Sequence, residues 1–358
     1  MNWPEIEGIV YAECDKPKEL LGAHVTSKGL LIQIMRPDAV AVKLHIDGRK
    51  TAVNMEKVDE SGFFAALVSS KKKLSYTYSV EKVNGEVTEY TDPYAFANVT
   101  KPEDYKAFLA GEEKNAAHIF GAHERTVNGV KGVLFNVWAP KALSVSVVGE
   151  FNKYDGRVHL MERIEDTGVF ELFIPGLAAG CGYMYEIKRQ GKGTTRKLDP
   201  VSRQISSVPI TASVVSDENM PDSYAWNDGL WMIKRKKEAG KKKPVTVYEV
   251  SLTDWLKEKS ADELVDFVKQ EGYTHVCFLP VAEYLNEEMN GYSTLGYFTV
   301  THRIGGSDAF KKLVDDCHNA GIGVIIDWNG AYFGTEVKGL YDFDGADAYG
   351  YLKPSLEK

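Results

Sequence analysis

The run Gly323-Val324-Ile325-Ile326 leads straight into Asp327. Small and apolar residues ending in a carboxylate fit a buried parallel strand that delivers an acid to its C-terminal tip. Active sites of α/β barrels are assembled at such tips. A strand-end aspartate also has a structural use: it caps the next loop or pairs with a cation, and Arg303 is the candidate. A basic cluster, Lys234–Lys237 with Lys241–Lys243, offers charge for an anion or a targeting signal. Such runs are usually solvated linkers. The four cysteines, Cys14, Cys181, Cys277 and Cys317, form no CxxC pair. Neither a metal site nor a disulfide framework is therefore expected, and nothing implies a cofactor.

The elements that position these groups must come from a chain of 358 residues, with room for two or three domains. Hydrophobic residues make up 44% and charged residues 26%, as in a soluble globular protein. A net charge of −8 argues against nucleic acid or an anionic membrane as partner. The amino terminus lacks the basic and apolar blocks of a signal peptide. No apolar run approaches the ~20 residues of a membrane span. A cytoplasmic location is expected.

An internal repeat organises the first two-thirds. "LGAH" at Leu21–His24 recurs as "FGAH" at Phe120–His123, and "GLLIQIMRPDAVAV" from Gly29 recurs as "GVLFNVWAPKALSV" from Gly132. "MEKVDESGFF" from Met55 recurs as "MERIEDTGVF" from Met161, and "YTY" at Tyr76–Tyr78 as "YMY" at Tyr183–Tyr185. Both copies reach Asp-Pro 14 residues later, at Asp92 and Asp199. So long a period indicates tandem domains rather than a solenoid. Alternating segments such as "VLFNVWAP" and "LSVSVVGEF", divided by turn residues, predict short strands in a β-sandwich. The alternation also assigns Trp138 to a core.

After Pro244 the pattern changes. "VTVYEVSL", "THVCFLPV" and "IGVIIDW" predict buried strands. "SADELVDFVKQEG" predicts a helix capped by Ser260 and ended by Gly272; "SDAFKKLVDDCHNAG" predicts one capped by Ser307 and ended by Gly321. Alternating β and α elements imply a parallel sheet with its strand tips on one side.

These residues bear a family resemblance. "VYEVSLTDW" at Val247–Trp255, "LVDFVKQEGYTHVCFLPVAE" and "GYSTLGYFTVTHRIGGSDAFKKLVDDCHNAGIGVIIDW" at Gly291–Trp328 resemble the start of the glycoside hydrolase family 13 barrel, closest to the 1,4-α-glucan branching enzymes. "GEFNKYDGRVHLMER" and "FELFIPGL" are similar to carbohydrate-binding module family 48. The resemblance implies cleavage of α-1,4 links and transfer into α-1,6 links through a glycosyl-enzyme. Retaining chemistry of that kind needs two carboxyl groups roughly 5–5.5 Å apart. In the family these groups come from later barrel strands, so no catalytic residue is assigned here.

The resemblance also implies binding residues. Tyr292 stands where the family stacks a tyrosine on a sugar, and Asp327 where it places a sugar-holding aspartate. The family's partner histidine is Tyr332 here, and a phenol does not reproduce an imidazole. Tyr284 and Ser251 replace two further histidines. In the second module Tyr154 takes the place of a stacking tryptophan, flanked by Asn152 and Lys153 on a turn; an ordinary turn aromatic is the plain alternative. Met184 replaces a basic residue of glycogen-binding relatives. The first module has no aromatic in the matching turn, "HIDGRK", and reads as a spacer or packing module.

The expected fold is therefore multidomain β plus α/β. An N-terminal segment (1–18) precedes a first immunoglobulin-like β-sandwich (19–100), a connector (101–117) and a second sandwich similar to family 48 (118–217). A linker (218–244) then leads to the first three or so β/α units of a TIM-type barrel (245–358). The expected function is that of a branching-enzyme homologue, catalytically incomplete in this chain, with α-glucan as partner. The alternatives are a non-catalytic glucan-binding scaffold and one half of a split enzyme whose barrel a second polypeptide completes.

Overall fold

The computed structural model describes residues 3–113, 116–206, 210–216, 224–330, 333–335, 337–346 and 348–350. The chain divides into two compact units: residues 1–199, 214–217 and 342–350 form one, and 200–213, 218–341 and 351–358 the other.

The first unit begins with helix α1 (Trp3–Val10). Its first module has strands β1 (Gly22–Thr26), β2 (Gly29–Met35), β3 (Ala39–Ile46), β4 (Val53–Asn54), β5 (Glu56–Asp59), β6 (Phe63–Val68), β7 (Tyr76–Lys82) and β8 (Val87–Tyr90). They build two antiparallel sheets, ordered β1-β2-β6-β5 and β4-β3-β7-β8. Leu30, Ile32 and Ile34 meet Val42, Leu44 and Ile46 in one core with Phe64, Ala66 and Val68 and with Tyr76, Tyr78 and Val80. Every set steps by two residues, because a strand sends alternate side chains to one face. Two sheets sharing one core fit a β-sandwich. Each fully buried Leu, Ile or Val side chain contributes roughly 1.5–3 kcal/mol.

A 3₁₀ turn (Pro102–Tyr105) and the short helix α2 (Lys106–Leu109) lead on. The second module has β9 (Gly121–Val127), β10 (Val130–Trp138), β11 (Ala142–Val148), β12 (Glu162–Arg163), β13 (Val169–Pro175), β14 (Gly182–Arg189) and β15 (Gly193–Lys197). One antiparallel sheet runs β12-β13-β10-β9, and β14 pairs with β11 and β15 in another. Trp138 is half-buried, edge-on to Phe108 and Tyr349.

The repeat is physical as well as textual. Tyr76 donates its hydroxyl to Asp92 at 2.5 Å, and Tyr183 donates to Asp199 at 2.5 Å. His24 bonds the Leu21 carbonyl at 3.0 Å, and His123 the Phe120 carbonyl at 2.9 Å. The modules are also tied together. The Tyr94 hydroxyl donates to the Leu160 carbonyl at 3.1 Å, and the buried Glu171 accepts from the backbone N–H of Val99 and Thr100 at 2.7 and 3.0 Å; the N-terminal segment adds an Asp15–Arg163 pair at 2.7 Å.

Strand β16 (Ile205–Ser206) pairs antiparallel with β17 (Ala212–Val214) through Ala212 and Ser213 of the second unit. Helix α3 (Gly229–Glu238) lies in the stretch expected to be a linker, and none of its residues is buried. Strands β18 (Val247–Val250) and β19 (His275–Phe278) flank helices α4 (Leu252–Trp255) and α5 (Ala261–Gln270). A hairpin of β20 (Ala282–Tyr284) and β21 (Thr294–Val300), helix α6 (Gly306–Asn319) and β22 (Gly323–Ile326) follow. The sheet order is β18-β19-β22, all parallel, with Val247, His275 and Gly323 in register.

The predicted Ser260 cap holds at α5 and is part of a capping box: Ser260 Oγ accepts from the Glu263 N–H at 3.2 Å, and Glu263 accepts from the Ser260 N–H at 2.7 Å. The predicted cap at α6 is corrected. That helix starts at Gly306 with Gly305 as N-cap, so Ser307 lies inside its first turn. The cause is a tight 3₁₀ turn, His302–Ile304, capped by Thr301 and closed by Gly305 at a φ of 86°. That conformation costs glycine little. The helices cover one face of the sheet, where Leu264, Val268, Phe310 and Leu313 pack with Val276 and Phe278. The other face is open, with Val247 and Ile325 exposed.

Candidate functional site

The open face of the parallel sheet ends at Asp327. Its N–H donates to the Phe278 carbonyl at 2.9 Å, carrying the strand pairing one residue past β22 to the tip. Its carboxylate accepts a hydrogen bond from the Tyr292 hydroxyl. Tyr292 is aimed by a tight turn in which Asn290 and Gly291 take φ of 48° and 86°. A Cβ on Gly291 would stand 2.8 Å from the Pro280 carbonyl oxygen, so the turn requires glycine. The hydrogen bond to Asp327, with burial second, pushes the Tyr292 pKa up to about 12. Glu249 and Cys277 act on the same phenol from the neighbouring strands. Burial, then Glu249 and Asp327, raise the Cys277 thiol.

The structure thus joins two of the residues expected from sequence, Tyr292 and Asp327. Tyr332, the third, lies outside the described residues. The expectation that Arg303 pairs with Asp327 is corrected. Arg303 donates to Glu283 at 2.8 Å and to the Tyr284 carbonyl at 3.0 Å, and its guanidinium lies 4.4 Å from the Tyr284 ring centroid. Glu283 is buried, and a buried carboxylate recruits the nearest cation. It also accepts from the His302 N–H at 3.1 Å. Nothing in the sequence spacing distinguishes Glu283 from Asp327 as the partner. Ser251 caps α4, its Oγ accepting from the Asp254 N–H at 3.3 Å. Tyr284 is buried, its hydroxyl 3.3 Å from Thr253 Oγ1. A phenol that gives its one proton to a carboxylate leaves lone pairs on both groups, which can accept hydrogen bonds from ligand hydroxyls. Among the described residues no group of three or more His, Cys, Asp or Glu could hold a metal ion.

The second candidate surface lies in the first unit. A 3₁₀ turn, Glu150–Asn152, is followed by Lys153 and Tyr154 at φ of 53° and 58°. Two consecutive non-glycine residues in the left-handed region are costly, and such strain gathers at functional loops. Arg196 holds the conformation by donating to the Tyr154 carbonyl at 2.8 Å, and its guanidinium lies 5.6 Å from the ring centroid. Tyr154 is half-buried and Lys153 exposed. Asn152, expected at the surface beside them, is only 8% exposed. Its amide accepts from the Gly149 N–H at 3.0 Å and donates to the Val147 carbonyl at 2.8 Å and to His159 Nδ1 at 3.0 Å. It shapes the loop. Burial, helped by the Arg36 cation, lowers the His159 pKa to about 3, leaving Nδ1 free to accept that bond.

Comparison with known proteins adds the following. Residues 2–94 match the family model of the alpha-1,4-glucan branching enzyme GlgB N-terminal domain. Residues 119–202 match carbohydrate-binding module 48, the isoamylase N-terminal domain. A Methylococcus capsulatus protein named 1,4-alpha-glucan branching enzyme GlgB is 37% identical over 364 residues, covering 99% of this chain and 48% of its own length. Its namesake from Nitrosococcus oceani is 36% identical over 98% of this chain and 48% of its own length. The chain spans about half the length of the curated relatives it matches. A solved Salmonella typhimurium protein, provisionally described as an alpha amylase, aligns over 61% of this chain and 34% of its own, with a TM-score of 0.46 and 24% identity. No helix among the described residues is long and apolar enough to cross a membrane.

Proposed function

We propose, from the premise that this chain is a homologue of the 1,4-α-glucan branching enzymes, that it binds α-glucan and forms no α-1,6 branches by itself. The observation that carries this reading is the 37% identity spread over 99% of the chain, both β modules and the parallel sheet included. On this reading the two β modules are immunoglobulin-like sandwiches. The parallel sheet with α5 and α6 is the opening three β/α units of a TIM-type barrel.

Two surfaces would hold the glucan. Tyr154 offers a ring face to a sugar, with the exposed Lys153 beside it to donate to hydroxyls. At the strand tip, Tyr292 and Asp327 form a hydrogen-bonded pair that binds and orients a sugar. Transglycosylation with retention needs a carboxylate nucleophile and a second carboxyl group to protonate the leaving oxygen. The pair at the tip has one carboxylate, and its other member is a phenol held protonated to about pH 12. Binding without turnover follows. The test is incubation of the purified chain with amylose, followed by iodine staining and linkage analysis. Unchanged amylose is expected, and new α-1,6 links would sink the reading. Retardation in glycogen-containing gels tests the binding half.

A further inference from the structure

We propose that the cleft between the two β modules is a second α-glucan subsite, in which the first module contributes binding groups as well as packing. This rests on the glucan-binding reading above. The cleft has a volume of about 260 Å³. That is just below the roughly 300–1,000 Å³ of sites for drug-sized ligands, and leaves room for one or two sugar rings.

Its walls come from both modules. Arg36, Asp38 and Tyr90 face Lys153, Asp155 and Arg157 across it. The walls are fixed in advance. Tyr94 of the first module is bonded to the Leu160 carbonyl, and the Glu171–Thr100 contact ties the two modules together. A pre-formed site loses little entropy on binding.

The charges define the ligand. Arg36 grips Asp38 at 3.1 and 3.2 Å, and Arg157 grips Asp155 at 2.6 and 2.9 Å. Lys82, also on the wall, is paired with Glu86 at 2.9 Å. Arg36, Arg157 and Lys82 therefore each have their own carboxylate, the remaining wall charges Lys153 and Glu150 are of opposite sign, and the net field available to an anion is small. What remains is a set of planar donors and acceptors held in fixed orientation, suited to the adjacent hydroxyls of a neutral sugar. The position relative to the Tyr154 loop supports the same ligand. Lys153 and Asp155, on either side of Tyr154, both line the cleft. A glucan chain seated on the Tyr154 ring can continue into it.

The test is titration of the full chain with maltoheptaose by calorimetry, with inorganic phosphate as a competitor. Asp38→Ala and Arg157→Ala, one on each wall, are expected to weaken binding about tenfold each, as for loss of a hydrogen bond to a charged group. Thermal unfolding verifies that each variant is folded; Lys82→Ala replaces Asp38→Ala should that one fail. Wild-type affinity in both folded wall variants, with binding lost in Tyr154→Ala, overturns the cleft and leaves the glucan reading standing. Competition by phosphate also overturns it. Absence of any maltoheptaose binding by the wild type removes both.

Discussion

The Tyr292 hydroxyl donates to the Asp327 carboxylate across 35 residues of sequence, joining the turn before β21 to the tip of β22. The bond gives Asp327 a neutral partner, where an ion pair with Arg303 was expected. An acceptor bound by a phenol keeps its charge and keeps lone pairs for a ligand.

Replacing Asp327 by Asn should return the Tyr292 phenol from about 12 toward its ordinary value of 10, since the hydrogen bond to the carboxylate is the largest cause of the shift. Ultraviolet difference titration of wild type against Asp327→Asn reads this directly. Superimposable curves would show that the bond does not form in solution.

Tyr154→Ala should abolish or strongly reduce retardation in glycogen gels, because base-free stacking on one ring is the main apolar contact the loop offers. Tyr154→Phe should retain most of it. Equal mobility of wild type and Tyr154→Ala in gels with and without glycogen would remove the loop from the binding surface.

The repeated tyrosine–aspartate bonds predict a stability cost in each module. Tyr76→Phe and Tyr183→Phe each remove a short hydroxyl bond to a buried carboxyl group, at up to about 1.5–3 kcal/mol by the usual worth of such bonds, and less at Asp199, which keeps a longer bond from the Tyr185 hydroxyl at 3.4 Å. Urea unfolding of both variants measures it. Losses below about 0.5 kcal/mol in either would mean that the bond is not needed there.

His159 gives a pH dependence whose sign can be worked out. Unfolded, it takes up a proton near its ordinary 6.5; folded, only near about 3. Between those values the unfolded state binds more protons, so the stability His159 contributes is present above pH 6.5 and is lost as pH falls toward 3, at about 1.4 kcal/mol per pH unit. Asp92 works oppositely: burial raises its carboxyl from 3.8 to about 6, so the folded state binds the extra proton between those values. Subtracting the His159→Gln curve from the wild-type curve isolates the histidine. A difference that does not change between pH 4 and 6 would show that His159 titrates normally in the folded chain.

Much of the architecture was readable because its causes are local. Period-two alternation at Leu30, Ile32 and Ile34 assigns a strand and its buried face without knowledge of the partner strand. Ser260 and Glu263 lie three residues apart, so their reciprocal capping is written in the chain. The Gly305 cap was missed because Ser307 is the better cap by composition, and the preceding 3₁₀ turn decides where the helix begins. Asn152 was placed at the surface because a polar residue on a turn usually points outward. Its commitment to Val147 and His159 depends on how β11 and the loop close together.

The sequence by itself determined that two related β modules precede a β/α segment, and that Asp327 stands at a strand tip. Repeat matching and periodicity need only neighbours along the chain. Tertiary structure decided that Asp327 takes Tyr292 while Arg303 goes to Glu283, and that Arg36 and Asp38 face Arg157 and Asp155 across one cleft. Hydrogen bonds and ion pairs act over about 3 Å. Which groups come that close, across 35 or 120 residues of chain, is set by the packing of the strands that carry them.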